Sequence, residues 1–235
     1  MGHIAMTQAK ARTPSADEKR GARILLVDDH PVVRHGLAQL INEARDLHVC
    51  GQASNVAEAL EMVASQRPDL VVVDICLQNA NGIELIKQIK AQYDDEVKML
   101  VSSMHDESVF AERALQAGAM GYVSKEEATE KIVTAIRQVL EGRTFLSGRM
   151  TERLVRRVTH GEAPAVTNSI DTLSDRELEV FELMGRGWTT RKIASELHLS
   201  PKTIETYRQH IKTKLGLQNT SELVVRAAEW VLQRK

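Results

Sequence analysis

The feature that most limits the fold of this 235-residue chain is an alternation, over residues 23–141, between short aliphatic runs and helical periods. The runs are Ile24–Val27, Val49–Ala53, Leu70–Val73, Met99–Val101 and Met120–Val123. Most are continuous rather than alternating, which suits strands covered on both faces. Between them apolar residues return at helical spacing, with Val56, Leu60 and Val63 in Asn55–Gln66 and then Ile83, Ile86 and Ile89. Five strands alternating with five helices predict a doubly wound parallel sheet.

After Phe145 the pattern changes. An amphipathic piece, Met150–Val158, runs into Gly161-Glu162-Ala163-Pro164-Ala165 and then Thr167-Asn168-Ser169, a linker composition. From Leu173 onward every period is helical. Ser174 and Glu177 spell a capping box. Thr190 is expected to cap a helix over Arg191–Leu197, Ser200-Pro201 opens a third that Gly216 ends, and Asn219 opens a fourth. The reading is a leader over residues 1–21 without order, an α/β unit over 22–145, a linker with a helical start over 146–172, and a separate all-α four-helix unit over 173–235.

The formal net charge of −1 argues at first against a polyanionic partner. Residues 22–145, however, carry 12 basic and 19 acidic side chains, a net −7, while Arg186–Lys214 carries 7 and 2, a net +5. Two units with different tasks follow. Cys50 and Cys76 are too few for a disulfide framework, sit in strand-like runs, and read as small buried core residues of a cytosolic protein. No apolar run approaches the length of a membrane span. With aromatics at 3%, stacking platforms for single-stranded bases are scarce.

Acidic side chains fall where strands end: Asp28 and Asp29 after the first, Asp74 after the third. Ligand sites of doubly wound sheets lie at those carboxyl ends. Three converging carboxylates are tolerable if a cation shares the site, and an all-oxygen donor set suits Mg²⁺. Lys125 follows the fifth strand and adds a fixed positive charge; Ser103 ends the fourth with a hydroxyl. Such a pocket supports phosphoryl transfer to a carboxylate, with Asp74 as nucleophile.

The segments "ILLVDDHPVVRHGL", "PDLVVVDICLQNANGIEL", "MLVSSMHDE" and "AGAMGYVSKEE" resemble the receiver domain of two-component response regulators, a flavodoxin-like fold, over about half the chain. The resemblance implies Asp74 as phosphoacceptor, with Asp28, Asp29 and the Cys76 backbone carbonyl as further Mg²⁺ ligands. It also implies Ser103 as switch hydroxyl, Lys125 as the phosphate-pairing lysine, and Tyr122 as an aromatic switch, unless Tyr122 is simply a packed strand residue. Two features depart from or complicate the pattern. Gln78 stands where the family usually has proline, which suggests a more mobile loop, and Ser102 adjoins Ser103 although only one can face the pocket.

In the basic segment, Thr190–Leu215 reads helix, turn, helix. On a helical wheel Ile204, Ile211 and Leu215 form the packing stripe, with Lys202, Thr206, Gln209 and Thr213 opposite. Short polar groups on an outward face suit base edges in a major groove. Glu205 can accept from cytosine and Gln209 can pair with adenine, whereas Lys192, Lys202, Arg208 and Lys212 suit phosphates. The stretch from Leu173 to Ala228 resembles the LuxR-type DNA-binding domain of the NarL/FixJ regulators. That resemblance points to Glu205, Thr206 and Gln209 for base reading, with Thr203 beside them at the helix start, and to the last helix for dimerisation. Tyr207 replaces the family's common histidine. In the last helix, Leu223, Val224, Ala227 and Val231 are expected to share one side.

The functional expectation is a cytoplasmic, phosphorylation-controlled transcription regulator. Its partners would be a sensor histidine kinase and double-stranded DNA, it would dimerise when phosphorylated, and it would have no membrane association. Enzymatic activity would not exceed slow self-dephosphorylation. A Mg²⁺-dependent phosphohydrolase is the enzyme alternative, but it needs a carboxylate where Cys76 stands. A constitutive DNA-binding protein with an inert receiver is the other. The opposite net charges further suggest that the acidic unit masks the basic one.

Overall fold

A computed structural model describes residues 21–77, 80–160 and 169–233. Residues 1–20 of the expected leader, Gln78, and the linker's Gly/Pro stretch over 161–168 lie outside the described residues. The α/β unit runs β1 (Ala22–Val27), α1 (Pro31–Glu43), β2 (Leu47–Ala53), α2 (Val56–Gln66), β3 (Leu70–Val73), β4 (Cys76–Leu77), β5 (Ala80–Asn81), α3 (Gly82–Tyr93), β6 (Lys98–Ser103), α4 (Glu107–Ala117), β7 (Gly121–Ser124) and α5 (Lys125–Leu140). The main sheet is five-stranded and all parallel, in the order β2-β1-β3-β6-β7, and β4 and β5 form a small antiparallel pair that the sequence pattern did not announce.

The continuous aliphatic strands are explained by burial on both faces. Leu25, Val27, Val71, Val73, Met99, Val101 and Tyr122 face α2, α3 and α4. Ile24, Leu26, Leu70, Val72, Leu100 and Val123 face α1 and α5, through Leu37, Ile41, Ile132, Ile136 and Val139. By the same alternation Ser103 shares the Val101 and Tyr122 face and Ser102 the opposite one. Each fully buried Ile, Leu or Val stabilises the fold by about 1.5–3 kcal/mol. Cys50 and Cys76 are half-buried as whole residues, with Cys76 packed against the core cluster and Cys50 outside it, a correction to the core assignment for Cys50.

Helix α6 (Gly148–His160) replaces the shorter amphipathic piece expected there, and a 3₁₀ turn at Ser169–Thr172 leads to α7 (Asp175–Gly185), α8 (Thr190–Glu196), α9 (Pro201–Leu215) and α10 (Thr220–Leu232). The capping box forms as read, with Ser174 and Glu177 exchanging hydrogen bonds. Helix α8 starts one residue earlier than expected. Thr189, not Thr190, accepts from the Lys192 amide, which frees the Thr190 hydroxyl for α9. In α10 the buried stripe is Leu223, Ala227 and Trp230, with Val224 41% exposed. The i, i+4, i+7 spacing carries the packing face past Val224 to the tryptophan, whose ring lies 5.5 Å from Phe181. Gly185 lets α10 approach α7 closely, since a Cβ there would stand 2.4 Å from the Ala227 carbonyl oxygen.

Candidate functional site

Strand order places the acids together. Val27 pairs with Val73, and Val73 with Val101, so Asp28, Asp29 and Asp74 leave neighbouring strands at the same edge. Lys125 begins α5 directly after β7, and its ammonium lies 2.6 Å from Asp28 Oδ2 and 2.6 Å from Asp74 Oδ2. Asp74 is only 2% exposed. Burial, with Asp28 beside it, pushes its carboxyl up to about 6 despite the pull of Lys125. Burial works against the Lys125 charge, but Asp74 and Asp28 outweigh it and hold the ammonium above its ordinary range. The Cys76 amide donates to Asp74 Oδ1 at 3.3 Å.

Asp29 differs from its neighbours. His30 Nδ1 stands 2.7 Å from Oδ1 and His198 Nε2 stands 3.1 Å from Oδ2, yet neither contact is aligned as a hydrogen bond. Both oxygens are buried without a hydrogen bond, which is costly for a carboxylate unless another group satisfies it. Asp28, Asp29 and Asp74, with the His30 imidazole beside them, make a carboxylate-rich donor group, and this fits a hard divalent cation. His30 and Gly82 were not singled out by sequence reasoning. A Cβ at Gly82 would stand 2.0 Å from the Asp74 carbonyl oxygen, so only glycine lets α3 start against the Asp74 backbone. The glycine opening "GIELI" was the available signal.

Ser103 is fully buried and its Oγ accepts from the His105 amide at 3.3 Å, while Ser102 Oγ is buried without a partner on the other face. Tyr122 is packed inward, its hydroxyl donating to the His105 carbonyl at 2.8 Å. Burial drives that phenol far above its ordinary range.

A second buried donor set lies across the seam between the two units: Cys76, His105 and Glu179. Here every acid has a protein partner. Glu179, 0% exposed, takes Arg176 at 2.6 Å and the Asn81 amide at 2.7 Å, and Glu182 takes His105 Nδ1 at 2.8 Å as well as Arg186. A cation there would have to displace Arg176. On the same side Asp175 meets Arg113 at 2.9 Å and Lys87 at 3.1 Å. Along α7 the seam therefore pairs acids of the basic unit with Lys87, His105 and Arg113 of the acidic unit, opposite to the sense expected from net charge, while His198 against Asp29 runs in the expected sense.

The outer face of α9 is open. Lys202, Thr206, Gln209 and Thr213 are exposed, Glu205 is exposed, and Thr203, Arg208 and Lys212 are half-buried, while Ile204 and Ile211 are fully buried. Ser200 caps the helix, its Oγ accepting from the Thr203 amide and meeting the Thr203 hydroxyl at 2.8 Å. Glu205 Oε1 receives Thr190 Oγ1 at 2.9 Å and Arg208 at 2.7 Å, locking α8 to α9. Lys192 stacks over the Trp188 ring, 3.7 Å from its centroid. Docking against the α/β unit thus leaves the expected reading face uncovered.

Comparison with known proteins agrees with this geometry. Residues 24–137 match the response regulator receiver domain, and residues 171–227 match the bacterial regulatory proteins of the luxR family. The oxygen regulatory protein NreC of Staphylococcus epidermidis is 33% identical over 218 residues, spanning 91% of this chain and 98% of its own. A LuxR-family two-component response regulator from Aurantimonas sp. SI85-9A1 is 37% identical over 58% of this chain and 97% of its own, with a TM-score of 0.54. RcsB from Salmonella enterica serovar Typhimurium, solved on promoter P1flhDC with the phosphomimetic BeF3⁻, shares the fold at 22% identity. It covers 89% of this chain and 100% of its own, with a TM-score of 0.57. Among the described residues no helix is long and apolar enough to cross a membrane. The chain belongs to the response regulators that join a receiver domain to a LuxR-type helix-turn-helix, and it is a phosphorylation-dependent, DNA-binding transcription regulator.

Proposed function

We propose that Asp74 is the phosphoacceptor of this regulator, within a receiver unit of residues 22–145, and that the unit of residues 173–235 reads DNA, with residues 146–172 linking the two. The observation that carries the reading is the cluster of three carboxylates at adjoining strand ends, two of them sharing the Lys125 ammonium and the third, Asp29, without a hydrogen bond to either buried oxygen. Asp28, Asp29, Asp74 and the Cys76 backbone carbonyl would hold Mg²⁺, which when bound offsets charge on the phosphoryl oxygens. A carboxylate oxygen of Asp74 attacks the phosphorus of a phosphohistidine on a sensor kinase. The P–N bond breaks, the imidazole leaves with its electron pair, and an acyl phosphate remains on Asp74. Lys125, buried and already paired with Asp28 and Asp74, pairs with the added charge of about −1.5 to −2. Ser103 and the inward Tyr122, joined through the His105 backbone, are the residues whose rearrangement reports it.

Through α9, Lys202, Thr203, Thr206 and Gln209 meet the DNA, with Lys192, Arg208 and Lys212 on phosphates. Glu205 uses the carboxylate oxygen not engaged by Thr190 and Arg208. Two copies would read paired half-sites. The setting is the cytoplasm, and turnover of the acyl phosphate by the chain itself is slow.

The test is phosphorylation of the full chain by a labelled small phosphodonor in Mg²⁺. Wild type should take one label, located on Asp74, and Asp74→Asn none. Undiminished labelling of Asp74→Asn contradicts the assignment.

A further inference from the structure

His198 belongs to the DNA-binding unit but touches the acidic pocket. It lies in the turn between α8 and α9, with φ at 52°, and its Nε2 stands 3.1 Å from Asp29 Oδ2. Its ring lies 6.3 Å from that of His30, whose Nδ1 meets the other Asp29 oxygen at 2.7 Å. The two histidines thus flank one buried carboxylate, one from each unit. The remaining polar contacts across the seam involve Leu173, Asp175, Glu179 and Glu182, so His198 is the DNA-binding unit's contact with the Asp28/Asp29/Asp74 cluster among the described residues.

We propose that His198 is a component of the phosphoacceptor pocket that competes with the divalent cation for Asp29. The inference rests on the reading of Asp29 as a cation ligand. A magnesium ion sits about 2.1 Å from its ligand oxygens and keeps several waters. An imidazole nitrogen 3.1 Å from the same oxygen occupies the space those waters need. Magnesium prefers oxygen donors, so the imidazole nitrogen is a poor replacement ligand. Cation loading therefore displaces the helix-turn-helix turn from the pocket, and by reciprocity docking of that turn weakens cation binding by the same factor. The α7 contacts remain, so loading loosens one edge of the seam without separating the units. Pocket occupancy reaches the DNA-binding unit directly, by a route other than Ser103 and Tyr122.

The experiment is calorimetric titration of the full chain with MgCl₂, comparing wild type, His198→Gly and Asp29→Asn. Glycine suits the left-handed backbone at this position, so the turn is preserved. A partly exposed contact of this kind implies that His198→Gly binds Mg²⁺ about two- to five-fold more tightly than wild type. In parallel, Mg²⁺ should speed amide hydrogen exchange at residues 197–200 in wild type and leave it unchanged in His198→Gly. Equal or weaker Mg²⁺ binding by His198→Gly, with binding lost in Asp29→Asn, overturns the competition and leaves the pocket reading intact. Wild-type affinity in Asp29→Asn overturns the pocket reading itself.

Discussion

Two buried acidic clusters lie within the receiver unit and its seam, and they are built in opposite ways. Around Cys76, His105 and Glu179 each carboxylate is closed by an arginine, an amide or an imidazole. Around Asp74, Asp28 and Asp74 share Lys125, and Asp29 has no hydrogen bond to either oxygen, only the His30 and His198 nitrogens beside them. A satisfied cluster holds structure together; an unsatisfied one awaits a ligand. Burial of charge alone therefore does not mark a reactive site; carboxylate oxygens left without hydrogen bonds do.

The largest expected effect lies in the closed cluster. Glu179→Ala strands Arg176 in a buried setting and should cost about 3–5 kcal/mol in denaturant unfolding at neutral pH, as removal of one partner from a buried pair does. A cost below about 1 kcal/mol would mean that the two clusters do not differ.

The open cluster should respond with the opposite sign. Asp74 is raised from its ordinary 3.8 to about 6, so its ionisation opposes folding. That penalty is absent below 3.8, grows as pH rises to about 6, and is constant above. In chelator at pH 7.5, Asp74→Asn should gain up to about 3 kcal/mol, at about 1.4 kcal/mol per unit. The gain should fade as pH falls from 6 toward 4 and shrink in Mg²⁺. A loss of stability in chelator would place Asp74 with the closed cluster instead.

The smallest effect concerns His105 at the seam. Burial disfavours its charge, but the Glu182 partner outweighs burial and holds the imidazole above its ordinary 6.5. Its contribution to the docked state is then complete below 6.5 and lost as pH rises through the raised value. Hydrogen exchange on α7 should accordingly quicken as pH is raised through that window, after correction for intrinsic rates. His105→Gln should flatten the response. An identical profile in His105→Gln would remove His105 from the seam's pH dependence.

Much of this was legible in the sequence for local reasons. Continuous strands imply two covered faces, acids at strand ends imply a shared edge, and Ser174 with Glu177 is a self-contained cap. Reading failed where partners are distant in the chain. Asp175, Glu179 and Glu182 look like an ordinary charged helix face, and nothing nearby reveals that Arg113, Asn81 and His105 meet them. Net charge misled for the same cause, because docking depends on which side chains face the seam and not on the sum. Thr189 displaced Thr190 as cap because the Thr190 hydroxyl is drawn to Glu205 and Arg208 across the turn. In α10 the expected stripe omitted Trp230, whose bulk fills the contact with Phe181.

Chemistry at Asp74 should govern binding through the open face of α9. The direct measurement is the affinity of the full chain, at fixed salt, for a DNA recovered by selection, with and without a small phosphodonor in Mg²⁺. Fixed salt is essential because phosphate contacts weaken steeply with ionic strength. The expected outcome is a phosphodonor-dependent change of about 5- to 150-fold in wild type, the usual span of coupling between sites, and none in Asp74→Asn. Equal affinities in wild type with and without phosphodonor, while Asp74 is shown to be labelled, would contradict it.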